Sequence, residues 1–259
     1  MNLGIEGRRA LVCAASRGLG RACAHALAQE GVKVTITGRH QETLALAAEE
    51  IEVSTGMRVT FALGDIGTEE GRRAALAACP EPDILVTNAG GPPLGRFETL
   101  SDDQWLSAIS LNMLAQLSLI RSVHGGMRLR HFGRIVNITS AYVKAPVELL
   151  ALSVGPRAGL TAAIAWLARE GSADNVTINN LLPEMIDTDR SRAGLAEMAH
   201  NVRRDSKEFL AALVASLPAR RLGQPDELGS MCAFLCSDLA GCITNQNIVI
   251  DGGHYPGLF

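Results

Sequence analysis

Short apolar, β-branched runs alternate with helix-length segments along almost the whole chain, and this alternation restricts its possible folds more than any other feature. Residues 8–13, 32–37, 58–63, 83–87, 133–139, 176–182 and 248–250 have the composition of strands. The spacing of apolar positions between them predicts helices over 18–30, 41–54, 68–78, about 101–129 and 156–169. Gly31 stands where a C-terminal glycine would close the first helix, and Ser101, Asp102 and Asp103 suit the opening of the fourth. Such alternation calls for crossover connections between parallel strands. The predicted fold is therefore α/β, a doubly wound parallel sheet of about seven strands with helices on both faces. The 259 residues suit a single domain over 1–259. The irregular, polar stretch 184–217 is expected to be a substrate lid, with ordinary surface helix as the alternative.

Composition narrows the partners. A net charge of −3 argues against a general nucleic-acid binder. No uninterrupted apolar run reaches the ~18 residues that span a bilayer, and residues 1–9 lack the apolar segment of a secretory signal. The six cysteines form no CxxC pair, and no Cys/His cluster has zinc spacing, so no metal site is expected. Buried, reduced thiols in a cytoplasmic protein are the expectation. The histidines at 25, 40, 124, 131, 200 and 254 show no ligand spacing and are expected to be core or surface groups.

The turn after the first strand carries the first chemistry. Cys13, Ala14, Ala15, Ser16, Arg17, Gly18, Leu19 and Gly20 lead from a strand into a helix. Glycines there let the backbone approach a pyrophosphate, and the helix N-terminus offers free N–H groups and the positive end of its dipole.

With these residues, Asn88-Ala89-Gly90 after strand four, Asn112, and Ser140 after strand five, the chain resembles the short-chain dehydrogenase/reductase family from about residue 6 to 253. It resembles most the 3-oxoacyl-(acyl-carrier-protein) reductase branch, in a divergent form. Ala14 occupies the place of the motif's usual first glycine. The resemblance implies a Rossmann-type fold, a nicotinamide cofactor, and a homotetramer or homodimer built on helices 101–129 and 156–169. It further implies that Asp65, with Ile66 beside it, contacts adenine. Asn88 would support the cofactor-side loops, Ser140 would bond the substrate oxygen, and Pro183, Ile186 and Thr188 would meet the nicotinamide end.

Cofactor choice follows from charge. Dinucleotide sites selective for NAD place a carboxylate after the second strand to bond the ribose 2′-hydroxyl. Thr37-Gly38-Arg39 offers none, and Arg17 adds a second guanidinium, which suits a 2′-phosphate. NADP(H) is the expected cofactor.

The catalytic centre departs from the family. Its tyrosine and lysine positions fall on Ser153 and Arg157. A serine hydroxyl is a poor acid, and a guanidinium stabilises negative charge and grips hydroxyls but relays protons badly. Tyr142, Lys144 and Glu184 are the groups that could stand in. The loop Gly90 to Gly95, rich in glycine and proline, is expected to wall the site.

Three functions remain open. The first is an NADP(H)-dependent oxidoreductase acting on a carbonyl/alcohol pair, with a small-molecule or acyl-thioester substrate. There Ser140 orients the carbonyl, Arg157 holds ribose, Asn112 shapes its helix, and Tyr142 or another group gives the proton. The second is a non-redox isomerase, dehydratase or lyase. The third is a catalytically inactive nucleotide-binding partner protein.

Overall fold

The computed structural model describes residues 2–258. Seven parallel strands, β1 (Arg9–Val12), β2 (Lys33–Gly38), β3 (Thr60–Leu63), β4 (Ile84–Thr87), β5 (Gly133–Ile138), β6 (Val176–Pro183) and β7 (Asn247–Ile250), form one sheet in the order 3-2-1-4-5-6-7. The strands lie where the apolar runs predict them, with boundaries differing by at most two residues.

Alternation along each strand divides the core. Ala10 and Val12 of β1 join a cluster with α1 (Gly18–Gln29), α2 (Gln41–Thr55) and α9 (Pro225–Cys236). Leu11 points to the opposite face, where Leu119, Ile120, Leu160 and Ile164 cover the sheet. That second layer comprises α3 (Glu69–Ala78), α5 (Ala115–Leu129) and α6 (Ala151–Gly171). The predicted fourth helix is α4 (Asp102–Ile109), a π-helical turn (Ser110–Leu114) and α5 in succession. Ser101 caps it by accepting from the Gln104 N–H, with the Gln104 side chain returning to the Ser101 N–H.

Two expectations need correction, the start of α6 and the burial of all six cysteines. Helix α6 begins at Ala151, five residues before the predicted start, with Pro156 inside it. Burial of Leu152 and Val154 draws the extra turn into the helix and offsets the missing proline N–H. The 184–217 stretch contains α7 (Asp189–Asn201) and α8 (Ser206–Ser216), capped by Thr188 and Asp205. Cys242 is exposed, whereas the other five cysteines are buried and free.

Two helical stretches, Asp102–Leu129 and Ala151–Asp174, are long and apolar enough to cross a membrane by length and composition. Each lays one face on the sheet, while Leu106, Leu114 and Trp166 remain exposed on the other.

A polar row crosses half of this apolar interior. Thr87, Asn137, Asn180 and Asn247 are direct cross-strand partners on β4 to β7. Asn180 Nδ2 donates to Asn247 Oδ1 at 2.8 Å, and Asn137 Nδ2 to Asn180 Oδ1 at 3.0 Å. The Thr87 hydroxyl lies 2.6 Å from Asn137 Oδ1 and 2.8 Å from Gln116 Oε1, so its single proton serves one of them at a time. Gln116 Nε2 in turn donates to the Asn112 carbonyl in the π turn, at 3.2 Å. Buried amides are tolerated here because each finds a partner.

Candidate active site

Strand order reverses between β1 and β4, and the carboxyl ends of those strands open into a cleft of about 710 Å³. A doubly wound sheet binds its ligand at such a switch point.

The turn after β1 contributes Ala14, Ser16, Arg17, Gly18 and Leu19 to the lining. Gly20 lies beneath it and is there for space, because a Cβ would come within 2.6 Å of the Ala14 carbonyl oxygen. Ala14 itself has φ of 49°, a left-handed conformation that glycine adopts freely and alanine only with strain. Its N–H is held by Thr37 Oγ1 at 3.2 Å, and its carbonyl accepts from Asn88 Nδ2 at 3.3 Å. Asn88 thereby ties the loop after β4 to the turn after β1.

Arg39 stands at the rim, largely exposed, with its guanidinium 4.0 Å from Asp65. Asp65 also accepts from the Gly67 N–H at 2.8 Å, which shapes its own turn, and Ile66 lies beside it in the lining. Asn88, Ala89 and Gly90 form the next stretch of wall, as does Gly91.

Arg157 reaches the cleft from α6. It is 7% exposed, and burial, with Arg190 nearby, pulls its pKa down to about 10. Its Nη1 donates to the Ser153 hydroxyl, while its Nε is buried without a partner. No carboxylate neutralises it among the described residues. The Asn112 side chain in the π turn is fully buried, and neither of its amide atoms has a partner. A buried cation and a buried amide left unsatisfied are costly unless a ligand completes them.

Thr188 lines the cleft, and its Oγ1 caps α7 by accepting from the Ser191 N–H at 3.1 Å. Arg190, two residues on, also lines the cleft. It straps α7 to the wall loop by donating to the Pro92 carbonyl at 2.9 Å. Arg190 carried no sequence signal, because it lies in the stretch of weakest pattern.

Ser140, Tyr142, Ser153, Pro183 and Ile186 lie outside the lining. Ser140 lies two residues beyond β5, and its Oγ accepts from the Tyr142 N–H at 3.3 Å. Burial, with the Glu184 carboxylate nearby, pushes the pKa of the Tyr142 phenol well up. Glu184 is buried, with its Oε1 2.8 Å from His254 Nδ1. Lys144 lies over the Tyr255 ring, 5.7 Å from its centroid. His40 and His254 are surface groups as expected; His40 lines the cleft rim and His254 bonds this carboxylate. No His/Cys/Asp/Glu group able to hold a metal occurs among the described residues.

A seven-stranded, doubly wound parallel sheet with a glycine turn, a basic rim and an unsatisfied buried arginine defines a dinucleotide-binding protein. The family described as enoyl-(acyl carrier protein) reductase matches residues 13–255. Acetoacetyl-CoA reductase of Shinella zoogloeoides is 33% identical over 252 residues, covering 96% of this chain and 98% of that protein. The 3-oxoacyl-(acyl-carrier-protein) reductase of Escherichia coli (strain K12) is 32% identical over 254 residues, covering 98% and 99%. The solved structure of L-sorbose reductase from Gluconobacter frateurii, complexed with NADPH and L-sorbose, superposes with a TM-score of 0.93 at 28% identity over 100% of both chains. The chain belongs to the short-chain dehydrogenase/reductase family of oxidoreductases.

Proposed function

We propose that this chain is an NADP(H)-dependent oxidoreductase that interconverts a carbonyl and an alcohol on a small-molecule or acyl-thioester substrate. The observation that carries the reading is the switch-point cleft lined by cations: Arg17 before α1, Arg39 after β2, and Arg157 from α6, buried with an unpaired Nε. The bound dinucleotide supplies or accepts the hydride. The chain's own groups bind and orient. The first turn of α1 takes the pyrophosphate, Arg17 and Arg39 take the 2′-phosphate, and Asp65 and Ile66 flank the adenine. Arg157 takes ribose hydroxyls and relieves its own missing bond. Pro183, Ile186 and Thr188 border the nicotinamide end, and Ser140 orients the substrate oxygen. Asn112 holds the π turn beside α6, and Ser153 positions Arg157.

The same reading places the protein in the cytoplasm as one domain over 1–259, with 184–217 as the substrate lid. A homodimer or homotetramer would cover the exposed apolar faces of α4 to α6. The non-redox and partner-only readings draw no support from relatives that are reductases by name.

Titration of NADPH and NADH, followed by nicotinamide fluorescence, tests the proposal on the wild type and an Arg39→Ala variant. NADPH binds more tightly to the wild type, and the variant loses about 10- to 100-fold of that affinity, the equivalent of roughly 1.5–3 kcal/mol for a charge-assisted hydrogen bond. NADH affinity stays the same. Equal binding of the two nucleotides, or none, overturns the cofactor assignment.

A further inference from the structure

Two cations that line the cleft have no counter-charge. Arg157, on α6, is buried, and its Nη1 donates to the hydroxyl of Ser153 and, at 3.4 Å, to the Ser153 carbonyl. Arg190, in the first turn of α7, donates through Nη2 to the Pro92 carbonyl at 2.9 Å and the Gly91 carbonyl at 3.4 Å. All these partners are uncharged. The acids nearest in the chain and along the lining are engaged elsewhere. Asp187 holds Arg192 by two bonds, at 2.6 and 2.8 Å, and Asp65 lies beside Arg39. Asp189 opens α7, where the positive end of the helix dipole balances it. Four guanidiniums and only two carboxylates therefore line the cleft. The nucleotide leaves two of the four unmatched. Arg17 and Arg39 meet its 2′-phosphate, and the first turn of α1 meets its pyrophosphate. Ribose hydroxyls complete the hydrogen bonds of Arg157 but carry no charge, and an oxidised nicotinamide ring is itself a cation. Helix geometry also turns Arg190 away from the phosphate turn. Thr188 faces that turn, its Cγ2 3.7 Å from where a Cβ on Gly18 would stand. Two positions along a helix rotate a side chain by about 200°, which sends Arg190 to the wall loop instead. Gly91 admits it there, because a Cβ would come within 3.2 Å of Arg190 Nη2.

We propose that Arg190 and Arg157 bind a carboxylate of the substrate, so that the protein acts on oxo acids and hydroxy acids in preference to uncharged ketones and alcohols; this rests on the oxidoreductase reading above. A guanidinium and a carboxylate pair through parallel, charge-assisted bonds, which neither a carbonyl nor a hydroxyl replaces. The gain is largest at Arg157, because a buried cation is poorly screened by water. Burial and, after it, the charge of Arg190 hold the Arg157 pKa down, so the two guanidiniums repel each other across the cleft. An anion between them removes that repulsion. Arg190 is exposed and tied only to backbone carbonyls, so it exchanges them for a carboxylate at little cost. The carboxylate is a handle: it positions the carbonyl and is neither oxidised nor reduced. An acyl thioester carries no such charge beside its ketone and gains nothing from the pair.

The test uses the full chain with NADPH and oxo acids of increasing carboxylate-to-ketone spacing, namely pyruvate, acetoacetate and levulinate, each against its own methyl ester. Loss of nicotinamide absorbance follows turnover. At least one acid exceeds its ester in kcat/KM by about 10- to 100-fold, the range for a hydrogen bond to a charged group. Arg190→Ala removes most of that acid-to-ester preference, and the loss appears in KM. Arg190→Lys keeps part of it, because the charge remains while the paired geometry is lost. A merely structural Arg190 would lower acid and ester turnover alike and leave their ratio untouched, which overturns the proposal. NADPH affinity is measured alongside by nicotinamide fluorescence. A fall in Arg190→Ala that matches the fall in kcat/KM makes a nucleotide phosphate the anion and likewise overturns it. Esters turned over as well as the acids, or turnover confined to acetoacetyl-CoA or L-sorbose, overturns the proposal and leaves the oxidoreductase reading standing. A wild-type chain that binds NADPH yet transfers no hydride to any of these compounds overturns both.

Discussion

Replacing Arg157 by methionine should stabilise the nucleotide-free protein while weakening its hold on NADPH. Arg157 is buried without a carboxylate partner, and its pKa falls from the ordinary guanidinium value to about 10. At 1.36 kcal/mol per pKa unit, a drop of that size means that keeping the guanidinium charged inside the fold costs about 3 kcal/mol. The sign follows from linkage. Below pH 10 the group is charged in both folded and unfolded chains, so the whole penalty is present at neutral pH. It is relieved only as pH rises above about 10 toward the ordinary guanidinium value. The substitution removes the charge, keeps a long apolar stem, and sacrifices the hydrogen bond to Ser153, worth about 1 kcal/mol. The net gain is about 2 kcal/mol, or roughly 4–8 °C in Tm for a chain of this size. Calorimetry and urea unfolding without nucleotide measure it. Saturating NADPH should then reverse the ranking, because the wild type alone gains the bond to the ribose. A nucleotide-free Arg157→Met protein less stable than wild type would refute the assignment of Arg157 as an uncompensated charge.

Two further substitutions probe the scaffold. Ala14→Gly relieves a left-handed alanine, and unfolding in urea should show a change between neutral and about 1 kcal/mol stabilising, with NADPH affinity kept; a loss above about 1 kcal/mol would mean that the Ala14 methyl packs productively. Asn180→Ala removes the centre of the amide row and leaves Asn137 Nδ2 and Asn247 Oδ1 unpaired. Urea unfolding should show a loss of about 2–4 kcal/mol for the two stranded groups, whereas a loss under 1 kcal/mol would mean that water replaces the missing amide.

Local pattern was enough for what is locally encoded. The seven strands are short apolar or β-branched runs, and the phosphate turn is a contiguous motif, so both are legible from residues next to one another. Ser101 announced its helix because an N-cap acts within four residues. The start of α6 was misplaced because Pro156 suits a first turn, and only the burial of Leu152 and Val154 against distant segments overrides that preference. Helix α8 carries Phe209, Leu210, Leu213 and Val214 at helical spacing, and Asp205 accepting from the Lys207 and Glu208 N–H groups marks its beginning, although none of its side chains is fully buried. The bond between Glu184 and His254 spans 70 residues. No local signal can report such a pairing, because it depends on which strands the sheet makes neighbours.

The amide row across β4 to β7 also acts as a levelling device. Its four residues are direct partners, so sliding any strand by one residue would turn its polar side chain to the other face and strand the neighbours' amides. Counting three residues forward from Thr87, Asn137, Asn180 and Asn247 arrives at Gly90, Ser140, Pro183 and Ile250. Those are the wall loop, the serine that follows β5, the residue before Glu184 and the last residue of β7. The row therefore sets a common height for four loop origins, and the chemistry stands on a shelf whose level is fixed by a line of hydrogen bonds one turn of pleat below.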